Sequence, residues 1–79
     1  MSSFGKFSSK KQSGPPPTPK ISKDEAKEKA LTLMPGRVTS IVIERKRGKY
    51  VYVVEIMTSN AGEKDVLVDI LTGEIVGTE

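Results

Sequence analysis

The sequence predicts an α+β domain in which one N-terminal helix packs on a three- to four-stranded antiparallel meander sheet. Three observations carry this expectation: a capped helical period in "ISKDEAKEKALTLMPG", a change to a period of two after Arg37, and short turn-forming connections between the later apolar runs. Short connections join sequential strands as antiparallel neighbours, because a parallel crossover needs a dozen or more residues.

The helix has a well-marked start. Ser22 is a good N-cap and Glu25 stands three residues later, the spacing at which each side chain satisfies the other residue's free backbone N–H. Asp24 and Glu25 suit the positive end of the helix dipole, and Ile21 is placed to staple onto Ala26. Ala26, Ala30, Leu33 and Met34 then form one apolar stripe at i, i+4, i+7 and i+8, with small residues where the helix should lie close to a sheet. Pro35 and Gly36 end it, since the residue before proline is pushed out of the helical region and glycine tolerates a reversal.

The strands follow in order. "RVTSIVIERK" and "KYVYVVEIMT" are β-branched and aromatic runs joined by a tight turn at Gly48, and therefore form a hairpin. "SNAGE" is a second turn, in which Asn60 and Gly62 tolerate positive φ, and "KDVLVDIL" is a third strand. After Thr72 and Gly73, "EIVG" adds a short fourth strand. Alternation assigns Tyr52, Val54, Ile56, Val66 and Val68 to the core under the helix, joined by Ile41 and Ile43. The opposite face carries Val51, Val53, Met57, Leu67 and Leu71 beside Glu55 and Asp69. One helix covers one face, so these five apolar residues are a candidate interface. The alternatives are a locally reversed register, or a last strand and tail that fold over the patch.

Domain organisation follows from composition. Residues 1–20 are rich in Ser, Lys, Gly and Pro and read as a disordered basic tail; residues 21–79 are the folded domain. The net charge of +3 divides unevenly: four lysines and no acid before Ile21, then nine basic against ten acidic residues. The basicity thus belongs to the tail, which makes weak contact with nucleic acid or an anionic surface an alternative role while giving the domain no basic surface to match. "PPPTP" is a stiff spacer rather than a peptide ligand.

Composition also restricts the chemistry. With no cysteine and no histidine the chain lacks disulfides, thiolate nucleophiles, sulfur-ligated zinc sites and the commonest general base. An enzyme is not expected, nor a cofactor. Asp65, Asp69, Glu63 and Glu74 do not follow the spacing of a calcium-binding loop, so no metal site is assigned. Asp69 and Glu74 have no nucleophile beside them in sequence. They fit better as the two sides of a Thr-Gly turn, Asp69 accepting from later N–H groups and Gly73 taking positive φ. The basic cluster Arg45, Lys46, Arg47 and Lys49 reads as a solvated hairpin tip. No run reaches the length of a membrane-spanning helix and no secretory signal is evident. The expected location is cytoplasmic as written, and extracytoplasmic if the sequence is part of a longer chain.

The capped helix with its Pro-Gly break, the "GKYVYVVEI" strand and above all "VLVDILTGEIV" resemble a PepSY domain, the module of thermolysin-like peptidase propeptides and bacterial cell-surface proteins. The most specific part is the V-D-x-x-T-G-E turn, here Val68, Asp69, Thr72, Gly73 and Glu74. The resemblance implies a bacterial or archaeal non-catalytic module that binds a protein or peptide partner, such as a peptidase, through a sheet edge or the uncovered face. A small homo-oligomer, such as a homodimer through that face, is the competing structural role. Ile70 and Leu71 in the x-x positions add apolar surface near the turn and favour assembly with something that the sequence does not name.

Overall fold

The computed structural model describes residues 16–79. Within them one helix, α1 (Lys23–Leu33), is followed by β1 (Arg37–Lys46), β2 (Lys49–Met57), β3 (Glu63–Asp69) and β4 (Ile75–Thr78). The four strands form a single open antiparallel sheet in chain order, and α1 lies across one face of it. Most of the basic tail lies outside the described residues. Among the described residues the first backbone hydrogen bond to the domain comes from Lys20, whose N–H donates to the Ile70 carbonyl at 2.8 Å.

Local chemistry fixes both ends of α1. The Ser22 hydroxyl accepts from the Glu25 N–H at 3.1 Å and the Glu25 carboxylate accepts from the Ser22 N–H at 3.0 Å, so the capping box is complete. At the other end Met34, preceding proline, is extended (φ −138°, ψ 92°) while its N–H still donates to Ala30. Gly36 serves a purpose other than chain reversal. Its φ is not positive; instead a Cβ there would stand 2.6 Å from both Ile56 Cγ2 and the Met57 carbonyl oxygen, so the chain passes too close to β2 for any side chain. Gly36→Ala is therefore expected to destabilise the domain by about 2 kcal/mol through forced displacement of packed atoms. Urea denaturation checks this, and a midpoint unchanged from the parent would contradict the close approach.

The principal core lies between α1 and the sheet. Ala26 and Ala30 are fully buried against Tyr52, Val54, Ile56, Val66, Val68 and Ile70, with Ile21, Leu31, Met34, Val38, Ile41, Ile43 and Tyr50 packed around them. The two alanines let the helix backbone sit close to β2 and β3. The Tyr52 hydroxyl donates to the Ile21 carbonyl at 2.8 Å, tying the approach to the helix onto the middle of the sheet. Leu31 rather than Leu33 completes the apolar stripe. Leu33 is 52% exposed, beside Ile75 at 38%, because the four-residue β4 leaves a shallow groove on that flank of the helix while the ten-residue β1 gives cover on the other.

The connections use few special conformations. Arg47 (φ 55°) and Gly48 (φ 78°) are both left-handed, so Lys46–Lys49 is a two-residue hairpin of the type whose twist suits paired strands. In the next turn only Gly62 is left-handed, and the Thr58 hydroxyl accepts from Ala61 N–H and donates to the Gly62 carbonyl. β1 carries a bulge between Val38 and Ser40, and β4 an irregularity opposite Leu67 and Val68.

Candidate functional site

The carboxylate pair of the family-like motif resolves into a turn. Asp69 is 6% exposed, and its Oδ1 accepts from the N–H of Leu71 at 2.8 Å and of Thr72 at 3.3 Å, while Oδ2 lies 3.6 Å from the Lys49 ammonium. The backbone closes the same loop: Gly73 N–H donates to the Asp69 carbonyl at 2.9 Å, and Asp69 N–H to the Glu74 carbonyl at 2.8 Å. The Thr72 hydroxyl accepts from Glu74 N–H at 3.1 Å. Gly73 is left-handed (φ 79°) and buried against Ile21 and the Lys29 stem, and its conformation resists any side chain. Val68 anchors the turn in the core, and the Glu74 side chain faces solvent. The Leu71 N–H, then the Thr72 N–H and Lys49, hold the Asp69 carboxyl below its ordinary range against the opposing effect of burial.

Ile70 and Leu71 part company. Ile70 is fully buried in the helix-side core, and its carbonyl accepts from Lys20 and Ile21, so it is covered by the chain's own entry segment and helix and offers no surface for assembly. Leu71 is 44% exposed.

The candidate interface is likewise divided. Val51 and Leu67 are fully buried and Val53 is 6% exposed, forming a second small cluster with Val76 on the face away from the helix. Met57, at the end of β2, and Leu71, in the last turn, are exposed and stand outside that cluster. What closes the patch comes from the first hairpin. Lys46 Nζ lies 3.7 Å from Glu44 and 3.2 Å from Glu79, and Arg47 Nη1 donates to the Val76 carbonyl at 3.4 Å. The Arg47 guanidinium rests directly on Gly77, where any side chain would have to displace it. Both side chains start at the β1–β2 turn and end at β4, so their methylene stems run over the face that holds Val51 and Leu67. In the sequence the four basic residues look like a solvated tip, and the only hint of this cover is Gly77, small enough to receive a guanidinium.

Beyond this strap the face is acidic. Glu55 pairs across strands with Asp65, Asp65 exchanges two 2.8 Å backbone hydrogen bonds with Glu79, and the Thr39 hydroxyl donates to Glu55 at 2.8 Å. Burial, then the Glu55 and Glu79 charges, pushes the Asp65 carboxyl up, and Glu55 does the same to Glu63. Among the described residues these carboxylates form no group arranged to hold a metal ion. Nor is any described helix long and apolar enough to cross a membrane.

The two edges of the sheet differ. β4 is four residues long, irregular, and has the Val76 carbonyl already occupied by Arg47. β1 is ten residues long and is regular from Ser40 to Lys46. The hydrogen-bond alternation shows which of its groups point away from β2. The Tyr50 carbonyl accepts from Ile70 N–H and so faces β3; its cross-strand partner Arg45 must direct its own N–H and C=O away from the sheet, and Ile43 and Ile41 follow at every second residue. Ile41 and Ile43 are half-buried, Val42 is 44% exposed, and Arg45 is exposed with its guanidinium carbon 5.7 Å from the Tyr50 ring centroid. Among the described ion pairs none involves Arg45.

No curated protein and no solved structure matches the chain. One family model does, that of the PepSY domain, described as the peptidase propeptide and YPEB domain, over residues 20–79. The matched segment begins at Lys20, which bonds to the Ile70 carbonyl, and takes in the helix, all four described strands and the Asp69–Glu74 turn, so this chain belongs to the PepSY family.

Proposed function

We propose that the domain is a non-catalytic binding module that captures an extended protein segment, such as one from a peptidase, along the outer edge of β1. The observation that carries this reading is the asymmetry of the two edges: β4 is short and capped by Arg47, whereas β1 offers the outward N–H and C=O groups of Ile41, Ile43 and Arg45 beside apolar side chains. An open edge of this kind pairs readily with an added strand, main-chain bonds giving affinity and alternate side chains giving selectivity. Family membership supports a peptidase-related regulatory role. The motif turn Val68, Asp69, Thr72, Gly73 and Glu74 has a structural part in this reading: it holds the helix approach against the sheet. Self-association through Val51, Val53 and Leu67 is the weaker reading, since Lys46 and Arg47 would first have to leave the face.

Amide hydrogen exchange tests the edge. In the free protein the amides of Ile41, Ile43 and Arg45 are expected to exchange at least about tenfold faster than those of Val42 and Glu44, which face β2. A bound peptidase or peptide should slow the first set selectively. Uniform protection along β1 in the free protein would remove the open edge and the proposal with it.

A further inference from the structure

The open edge of β1 has a pattern, and we infer that it selects antiparallel segments of the form acidic, non-acidic, apolar, any, apolar, read from N to C terminus. This rests on the edge reading above and adds the chemistry of the occupant. Antiparallel pairing is the more stable per residue, and it makes hydrogen-bonded pairs with those β1 residues whose backbone groups point outward. Those are Arg45, Ile43 and Ile41. A segment running opposite to β1 therefore meets Arg45 first, Ile43 two residues later and Ile41 two residues after that.

Side chains of paired residues share a face. The helix side of the sheet receives the first, third and fifth residues of the segment. The third and fifth land beside the half-buried Ile43 and Ile41, whose exposed halves an apolar partner would cover. The first lands beside Arg45, the one cation of the hairpin tip with no carboxylate or carbonyl partner among the described residues: Lys46 is held by Glu44 and Glu79, Lys49 by Asp69, and Arg47 by the Val76 carbonyl. A carboxylate there completes an ion pair over the Tyr50 ring. On the other side of the sheet, the second residue faces Glu44 and is disfavoured if acidic, and the fourth faces the exposed Val42.

The test uses the full chain, labelled for backbone amide detection, and three capped heptapeptides at millimolar concentration: Gly-Glu-Lys-Val-Thr-Val-Gly, its Lys-for-Glu counterpart, and its reversed sequence. The first is expected to shift the amides of Ile41, Ile43 and Arg45 and to bind about five- to tenfold more tightly than the lysine counterpart, the sum of a cross-strand attraction gained and a repulsion avoided. Arg45→Glu, at an exposed position, should invert that order. Equal binding of the two peptides at the edge overturns the charge selection but leaves the edge reading standing. Tighter binding of the reversed peptide overturns the antiparallel direction. Absence of any shift at the three amides overturns both the selection and the edge reading, as does protection of those amides that grows with protein concentration alone, which would assign the edge to a second copy of the chain.

Discussion

Replacing Asp69 by alanine is expected to cost about 3 kcal/mol, a large part of the roughly 3 to 6 kcal/mol available to a domain of this size. The change leaves the N–H groups of Leu71 and Thr72 without the acceptor that they share and frees Lys49, and the turn that they close also carries Ile70 into the core. Asp69→Asn separates the charge from the geometry, because an amide oxygen can still accept both bonds but without the strength of a carboxylate. The pH dependence follows from the direction of the shift. Asp69 is held below its ordinary 3.8 by the Leu71 N–H first, so its contribution is fully present above about that value and is lost as pH falls through the lower folded value. Asp65 has the opposite sign: raised chiefly by burial, it favours the fold when protonated, so its penalty begins to lift at a higher pH than that at which the Asp69 contribution fails. Urea midpoints for the parent and Asp69→Asn should therefore converge as pH is lowered from 6 toward 2. A gap of constant size across that range would mean that the carboxylate charge contributes nothing to the turn.

That the turn is structural could be read from residue types: an aspartate two residues ahead of accessible N–H groups and a glycine after threonine leave few other arrangements. The helix boundaries and the two sheet faces were legible for similar reasons. Capping residues act within a few positions, and the alternation through Tyr52, Val54 and Ile56 opposes Val51, Val53 and Glu55 whatever the rest of the fold does. Sequence periodicity is silent about long-range approach. Gly36 looks like a reversal point but is required by the nearness of β2, twenty residues further along the chain. Leu33 has the right helical phase for the core, yet the strand that would cover it is only four residues long. Ile70 looks like surface between two turn residues, and it is buried because the chain entering the helix is bonded onto its carbonyl. The edge chemistry of β1 was partly legible, since a first strand of a meander must be an edge, but which of its amides face outward depends on the hairpin register.

The largest departure concerns the face away from the helix, where Leu67→Lys is expected to unfold the domain instead of merely separating a dimer. Leu67 has no exposure, its neighbours are Val51, Val53 and Val76, and the stems above it belong to Lys46 and Arg47, so a lysine there would bury an ammonium beside two cations. The penalty of an unpaired buried charge, added to the lost packing, comes to about 4 kcal/mol, near the whole stability of the fold. Circular dichroism should show loss of the cooperative transition at a temperature where the parent is folded. The companion change Arg47→Ala acts on the cover and leaves the patch intact; losing its stem costs only about 1 kcal/mol, so the domain stays folded while dye binding to exposed apolar surface rises. Together the two variants separate a sealed face from an open one. If Leu67→Lys folds with the parent's midpoint, the strap does not cover the face in solution, and the patch regains its standing as an interface. If Leu67→Lys unfolds and Arg47→Ala gains self-association, the hairpin tip is what keeps this domain from pairing through its second face, and β1 is left as the surface open to a partner.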